Sequence, residues 1–199
     1  MKVKTIATLL VLCVLSTMWT RVVTGEQRER LELKPVLIVM DVQNIWMPRM
    51  SEEDTNSAPQ KINQLITLFR EFGHPVIGVY HSDPKRGPEP GTVPFEFPDS
   101  IAVTDDDQKV VKNHASAFTK TELERILRDS GRNIVFLCGL SATGCVLATY
   151  FGAKDREFMA VMVEGTLLSH DASYTKVIED ICSSMTLEEV RATLEDPFL

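Results

Sequence analysis

Cysteine is scarce in this chain, with four in 199 residues, and no two of them stand in a CxxC pair or a disulfide-like spacing. That excludes a disulfide-stapled scaffold and a thiolate zinc site of the usual kind. Basic clusters are lacking too. The net charge is -7, and residues 1–25 hold three cations (Lys2, Lys4, Arg21) and no acid, so the remainder carries -10. Without a basic stripe, nucleic acid and anionic membrane surfaces are excluded as expected partners. Gly139 to Gly144 lacks the G-x-S-x-G spacing, which excludes a serine nucleophile elbow. No internal repeat or low-complexity tract interrupts the chain.

Long apolar runs are also missing, with one short exception. Lys2 and Lys4 precede an uncharged stretch from Thr5 to about Trp19, followed by Val23-x-Gly25. The run falls short of the ~20 residues a spanning helix prefers. Its charged start, apolar middle and small-residue exit match a secretory signal. The expectation is a cleaved signal over 1–25, a mature domain over 26–199, and a secreted or periplasmic protein. The alternative is an anchor formed by residues 5–20, which would be the sole route to stable membrane insertion. Cleavage removes Cys13 and leaves Cys138, Cys145 and Cys182. An exported chain with an odd number of thiols suggests that one has a task. Cys138 and Cys182 read as buried apolar filler.

What the chain does have is alternation. Apolar stretches at Val36–Met40, Pro75–Tyr80, Lys109–Lys112, Asn133–Cys138 and Phe158–Val163 read as strands. Between and after them come helix-like segments at Pro59–Phe72, from Thr121 to Gly131, Val146–Arg156, Ser173–Cys182 and Leu187–Leu194. Thr121/Glu124 and Thr186/Glu189 have capping-box spacing. This pattern predicts a doubly wound, mostly parallel α/β sheet with helices on both faces, a Rossmann-like three-layer sandwich. The Pro- and Gly-rich stretch from Asp83 to Thr104 reads either as a functional lid or as a plain surface excursion.

In such a sheet the ligand crevice lies beyond the carboxyl ends of the strands. Asp41 directly follows the first apolar run, Lys112 ends the third strand, and Cys145 opens the helix after the fourth. A carboxylate after an apolar strand is costly unless paired or used. A cysteine in a first helical turn is expected to have a lowered pKa.

Asp41-Val42-Gln43-Asn44, Lys112-Asn113-His114-Ala115-Ser116-Ala117-Phe118 and Gly139-Leu140-Ser141-Ala142-Thr143-Gly144-Cys145-Val146 resemble the three signature segments of the isochorismatase-like cysteine hydrolases, in that family's order. The resemblance spans about Pro35 to Leu194. It implies an Asp41–Lys112–Cys145 triad that cleaves a C–N bond of a small amide or ureido compound through a thioester. It also implies an oxyanion hole from the backbone N–H groups of Ser141 and Cys145, with a cis Leu140–Ser141 peptide. Gln43 and Trp46 match substrate-lining positions, and Phe118 packs behind the site. A small-molecule substrate, no cofactor and a homo-oligomer are the further expectations.

Nicotinamidases of this family carry an Asp-x-His metal motif, and Tyr80-His81-Ser82-Asp83-Pro84 departs from it, so no metal is expected. The competing readings are a vinyl ether hydrolase, which needs no thiol, and a non-catalytic secreted binding protein or thiol sensor on the same fold.

Overall fold

A computed structural model describes residues 30–83, 85 and 87–198. The expected signal segment and Cys13 lie outside them. Six strands form one sheet: β1 (Pro35–Met40), β2 (Val76–His81), β3 (Gln108–Lys112), β4 (Ile134–Leu140), β5 (Met159–Leu168) and β6 (Ser184–Met185). Every neighbouring pair is parallel, in the order β3-β2-β1-β4-β5-β6. From β1 the chain winds outward to β3, then returns to β4 and winds the other way. The order therefore reverses between β1 and β4, and a crevice opens past their carboxyl ends.

The apolar runs account for the layers. β1 and β4 are buried at every residue, as strands covered on both faces must be. Their side chains alternate between two cores. Leu37 and Val39 pack with Ile62, Leu65, Ile66 and Phe69 of helix α1 (Glu52–Glu71) and with Val190 and Leu194 of α5 (Leu187–Glu195). Val36, Ile38 and Met40 face the opposite layer. That layer holds Leu123 and Leu127 of α2 (Leu123–Asp129), Tyr150 and Ala153 of α3 (Leu147–Lys154), and Ile178 of α4 (Ala172–Ile181).

Several boundaries differ from the sequence reading. Helix α1 starts at Glu52, well before Pro59, because Ser51 caps it. Its hydroxyl accepts from the Asp54 N–H at 3.1 Å, and Glu52, Glu53 and Asp54 favour the positive end of the dipole. Pro59 lies inside the helix. The Asp54 carboxylate also joins α1 to the far end of β5, accepting from Ser169 N–H and the Thr175 hydroxyl, both at 2.9 Å.

The capping box expected at Thr121 does not form. The Thr121 hydroxyl donates back to the Ala117 carbonyl, while the Glu124 carboxylate accepts from Arg156 at 2.8 Å. The box at Thr186 and Glu189 is present. Strand β5 runs past Val163 to Leu168, turning at Gly165 with φ 70°, and β6 is too short to have left an apolar signature. Cys138 is fully buried. Cys182, at the carboxyl end of α4, is only half-buried but packs against the same core layer as Ile178.

The segment from Asp83 to Thr104 is docked at several points along its length. Phe95 and Phe97 stack on Tyr80 with ring centroids 5.2 and 4.2 Å away. The Asn63 amide donates to Ser100 O at 2.7 Å and accepts from Ala102 N at 2.8 Å. Burying two aromatic rings is worth several kcal/mol on an area scale, so the excursion is anchored to the sheet.

Candidate active site

Asp41 is the residue at which β1 stops. Its N–H donates to Val79 O at 2.8 Å, and its φ of 50° lies in the left-handed region, which Asp tolerates better than a β-branched residue would. Across the switch point stands Gly139, with φ 104°. A Cβ there would run into the Met40 carbonyl oxygen, so only glycine lets β4 approach β1 closely enough to bring the turn after β4 beside Asp41. The next peptide, Leu140–Ser141, is cis.

Lys112 comes from the end of β3, paired in register with His81 of β2. Its stem is fully buried, and its Nζ lies 2.8 Å from Asp41 Oδ2. The same Nζ is 3.2 Å from Cys145 Sγ and 3.2 Å from His81 Nδ1. An ammonium has three N–H bonds, and here each has an acceptor. A buried charge this well partnered escapes most of the desolvation cost that would otherwise expel it.

Cys145 sits in a π-helical turn, Ala142–Val146, which Gly144 kinks with φ -117° and ψ -106°. The regular helix α3 begins only at Leu147. The thiol therefore precedes the helix proper, and it is largely shielded from water. Burial, reinforced by the Asp41 charge and opposed by Lys112, pushes its pKa up to about 11. This corrects the expectation of a thiolate-prone cysteine: desolvation outweighs the dipole and the ammonium. Burial likewise raises Asp41, against the pull of Lys112. Burial and then Lys112 lower His81, which is neutral near pH 7. Asp41 Oδ1 is buried and takes no part in the Lys112 ion pair, and the carboxylate interacts directly with the Cys145 thiol.

Asp41, Trp46, Met50, His81, Leu140, Ser141 and Cys145 line a cavity of about 210 Å³. Apart from the Asp41 carboxylate, the His81 ring and the Cys145–Ser141 corner, its walls are apolar. Trp46 is the aromatic wall, edge-on to His81 at 6.0 Å, with the Arg49 guanidinium 4.8 Å from its ring centre. Ser141 and Cys145, expected to supply oxyanion donors, lie on the same wall. Phe118 packs in the core layer behind, stacked on Phe158.

Gln43 is not where it was expected. It is wholly buried and does not line the cavity. Its amide donates to His81 O at 3.0 Å and Phe95 O at 2.7 Å, and accepts from His81 N at 2.8 Å. With these bonds its side chain is committed to the main chain of His81 and Phe95. His81, which the sequence offers only within a segment that departs from the family's metal motif, is part of the cluster. Its neighbour in the chain gives no hint of that, since the partner residues stand 31 and 38 positions away.

Asp41, His81 and Cys145 offer donor atoms within 4.8 Å of one another. These three groups surround the Lys112 ammonium, however, so a dication ligated by them would face a cation already in place. The residues do not fit a metal centre.

A doubly wound sheet with a thiol, a carboxylate and an ammonium gathered at its switch point defines an α/β fold of the isochorismatase type. The chain belongs to the isochorismatase family: the profile of the Isochorismatase domain matches residues 35–196. Among curated relatives, the uncharacterised isochorismatase family protein YddQ of Bacillus subtilis is 26% identical over 157 residues, 76% of this chain and 79% of that one. The secreted isochorismatase effector Isc1 of Verticillium dahliae is 25% identical over 139 residues, 68% of this chain and 73% of its own.

Among solved structures, an isochorismatase-like hydrolase from Alkaliphilus metalliredigens superposes with a TM-score of 0.75 at 18% identity, covering 83% of this chain and 95% of that one. An N-carbamoylsarcosine amidase from Thermoplasma acidophilum superposes with a TM-score of 0.67 at 27% identity, covering 77% and 95%.

Proposed function

We propose that the protein is an exported cysteine hydrolase that cleaves the C–N bond of a small, uncharged amide or ureido compound. The observation that carries this reading is the Lys112 ammonium held between Asp41 Oδ2 and Cys145 Sγ, at 2.8 and 3.2 Å, with Asp41 and Cys145 themselves lining a largely apolar cavity of about 210 Å³. The amidase name of the Thermoplasma neighbour and the secreted status named for the Verticillium relative support the two halves of the reading.

The raised thiol pKa and the carboxylate beside the thiol support a concerted order of events. At neutral pH the resting nucleophile is a thiol, so deprotonation accompanies attack. Asp41 takes the Cys145 proton while Sγ bonds to the carbonyl carbon, and the carbonyl π pair moves to oxygen. Lys112 stabilises the sulfur as charge builds there and keeps Asp41 ionised beforehand. The N–H groups of Ser141 and Cys145 receive the oxyanion. On collapse the C–N bond breaks, and the proton on Asp41 passes to the leaving nitrogen, which departs as ammonia or an amine. A thioester remains. Water then attacks the acyl carbon with Asp41 as base, the C–S bond breaks, and the thiol is re-formed as the acid leaves. The sum is amide plus water giving acid plus ammonia, with no redox change.

The test is an ammonia-release panel of neutral carboxamides and ureido compounds, run with the wild-type protein and Cys145→Ala in parallel. Turnover is expected with at least one of them, and Cys145→Ala is expected to lose on the order of 10⁴-fold or more. Full ammonia release by Cys145→Ala would mean that the C–N bond is cleaved without a thioester and would overturn the cysteine mechanism, whereas no release by either chain would favour the ether-hydrolase reading.

A further inference from the structure

The cluster contains one half-buried side chain that the reaction just described does not use. We propose that His81 is a positioning residue of this site: its neutral imidazole accepts the third N–H of Lys112 and thereby fixes the ammonium between Asp41 and Cys145. The inference rests on the hydrolase reading for its purpose, while its geometry stands apart from it.

The argument starts from valence. Lys112 Nζ has three N–H bonds at tetrahedral angles and a flexible four-carbon stem. Two acceptors, Asp41 Oδ2 and Cys145 Sγ, leave the ammonium free to rotate and leave one donor buried without a partner, which is costly. His81 Nδ1, at 3.2 Å, is the third acceptor. An acceptor nitrogen places the ring proton on Nε2.

The contact exists only while the ring is neutral, since an imidazolium has two donors and no acceptor. The charged and titratable groups around His81 are Lys112, Asp41, Cys145, Asp83 and His114. Burial, Lys112 and His114 favour the neutral ring, and the two aspartates oppose them. A second-layer brace holds the imidazole's own backbone. Gln43 binds both the N–H and the C=O of His81 and ties the same amide to Phe95 O. The buried Phe95 in turn stacks on Tyr80, the residue before His81 in β2. Gln43, His81 and Lys112 thus form a connected line of hydrogen bonds ending at Cys145 Sγ, and the side of the ring meets Trp46.

The experiment reads the thiol directly, so it needs no substrate. The rate of carboxamidomethylation of Cys145 by iodoacetamide would be followed by peptide mass spectrometry at pH 8.5, in the full chain, for wild type, His81→Leu and His81→Asn. Losing the acceptor frees the ammonium from Sγ, and a rise of one unit in the thiol pKa makes labelling about tenfold slower in His81→Leu. Asparagine places Oδ1 close to where Nδ1 stood, so His81→Asn should label at least about fivefold faster than His81→Leu, the value of one ordinary hydrogen bond. Unchanged labelling in His81→Leu, or His81→Asn as slow as His81→Leu, would overturn the proposal. Failure of the hydrolase reading shows elsewhere, as no turnover by wild type in the ammonia panel with the labelling order intact.

Discussion

Lys112→Met is expected to lower the unfolding free energy by about 3–5 kcal/mol at neutral pH, the usual cost of leaving one member of a buried pair without its partner. Both side chains are almost wholly out of water, at 0% for Lys112 and 3% for Asp41. Methionine fills most of the lysine stem's volume, so the loss reflects charge more than packing. The deficit should depend on pH. Unfolded, Asp41 titrates near ~3.9; folded, burial has already raised it, and removing Lys112 raises it further. Between those two values the native state binds more protons than the unfolded chain, so stability rises as pH falls through the folded pKa. Urea midpoints at pH 8 and pH 5 would show the deficit largest at pH 8. Asp41→Asn with Lys112→Met should recover most of the loss, because the orphaned charge is gone. A single variant as stable as wild type would mean that the pair is not buried as described.

The second large effect comes from Asp41→Asn, and it separates two properties that normally move together. Hydrolysis should fall by about 10²–10⁴, the range for removal of a general base. Alkylation of Cys145 near neutral pH should become faster. The Asp41 charge is the second contributor to the raised thiol pKa after burial, and its removal leaves Lys112 as the dominant charge beside sulfur. A more reactive thiol in a less active protein is the signature of a base that works during attack. If alkylation slows along with hydrolysis, Asp41 instead sustains the reactivity of the thiol, and the order of proton transfer given above is wrong.

Much of this site was legible in the chain because its parts lie at strand ends. Five apolar residues before Asp41, and an apolar run before Cys138, could only be strands buried on both faces. The alternation then put Asp41, Lys112 and Cys145 at one edge of one sheet. Geometry that depends on pairs distant in sequence was not legible. Gln43 was expected at the substrate, yet its amide spans 38 positions to the backbone of His81. The thiol pKa was misread because a first-turn cysteine in water and a shielded one beside a carboxylate differ in sign, and the sequence shows no burial. The apolar spacing that marks helix α1 begins only at Ala58 and Ile62, whereas the Ser51 cap and three following acids set its start.

The most direct measurement is acid-quenched intact-protein mass spectrometry within the first turnover of an amide identified by ammonia release. The account predicts that the chain gains the mass of the acyl group, on the peptide containing Cys145, before the acid product accumulates. Turnover with no such adduct, persisting in a Cys145→Ala chain, would contradict it.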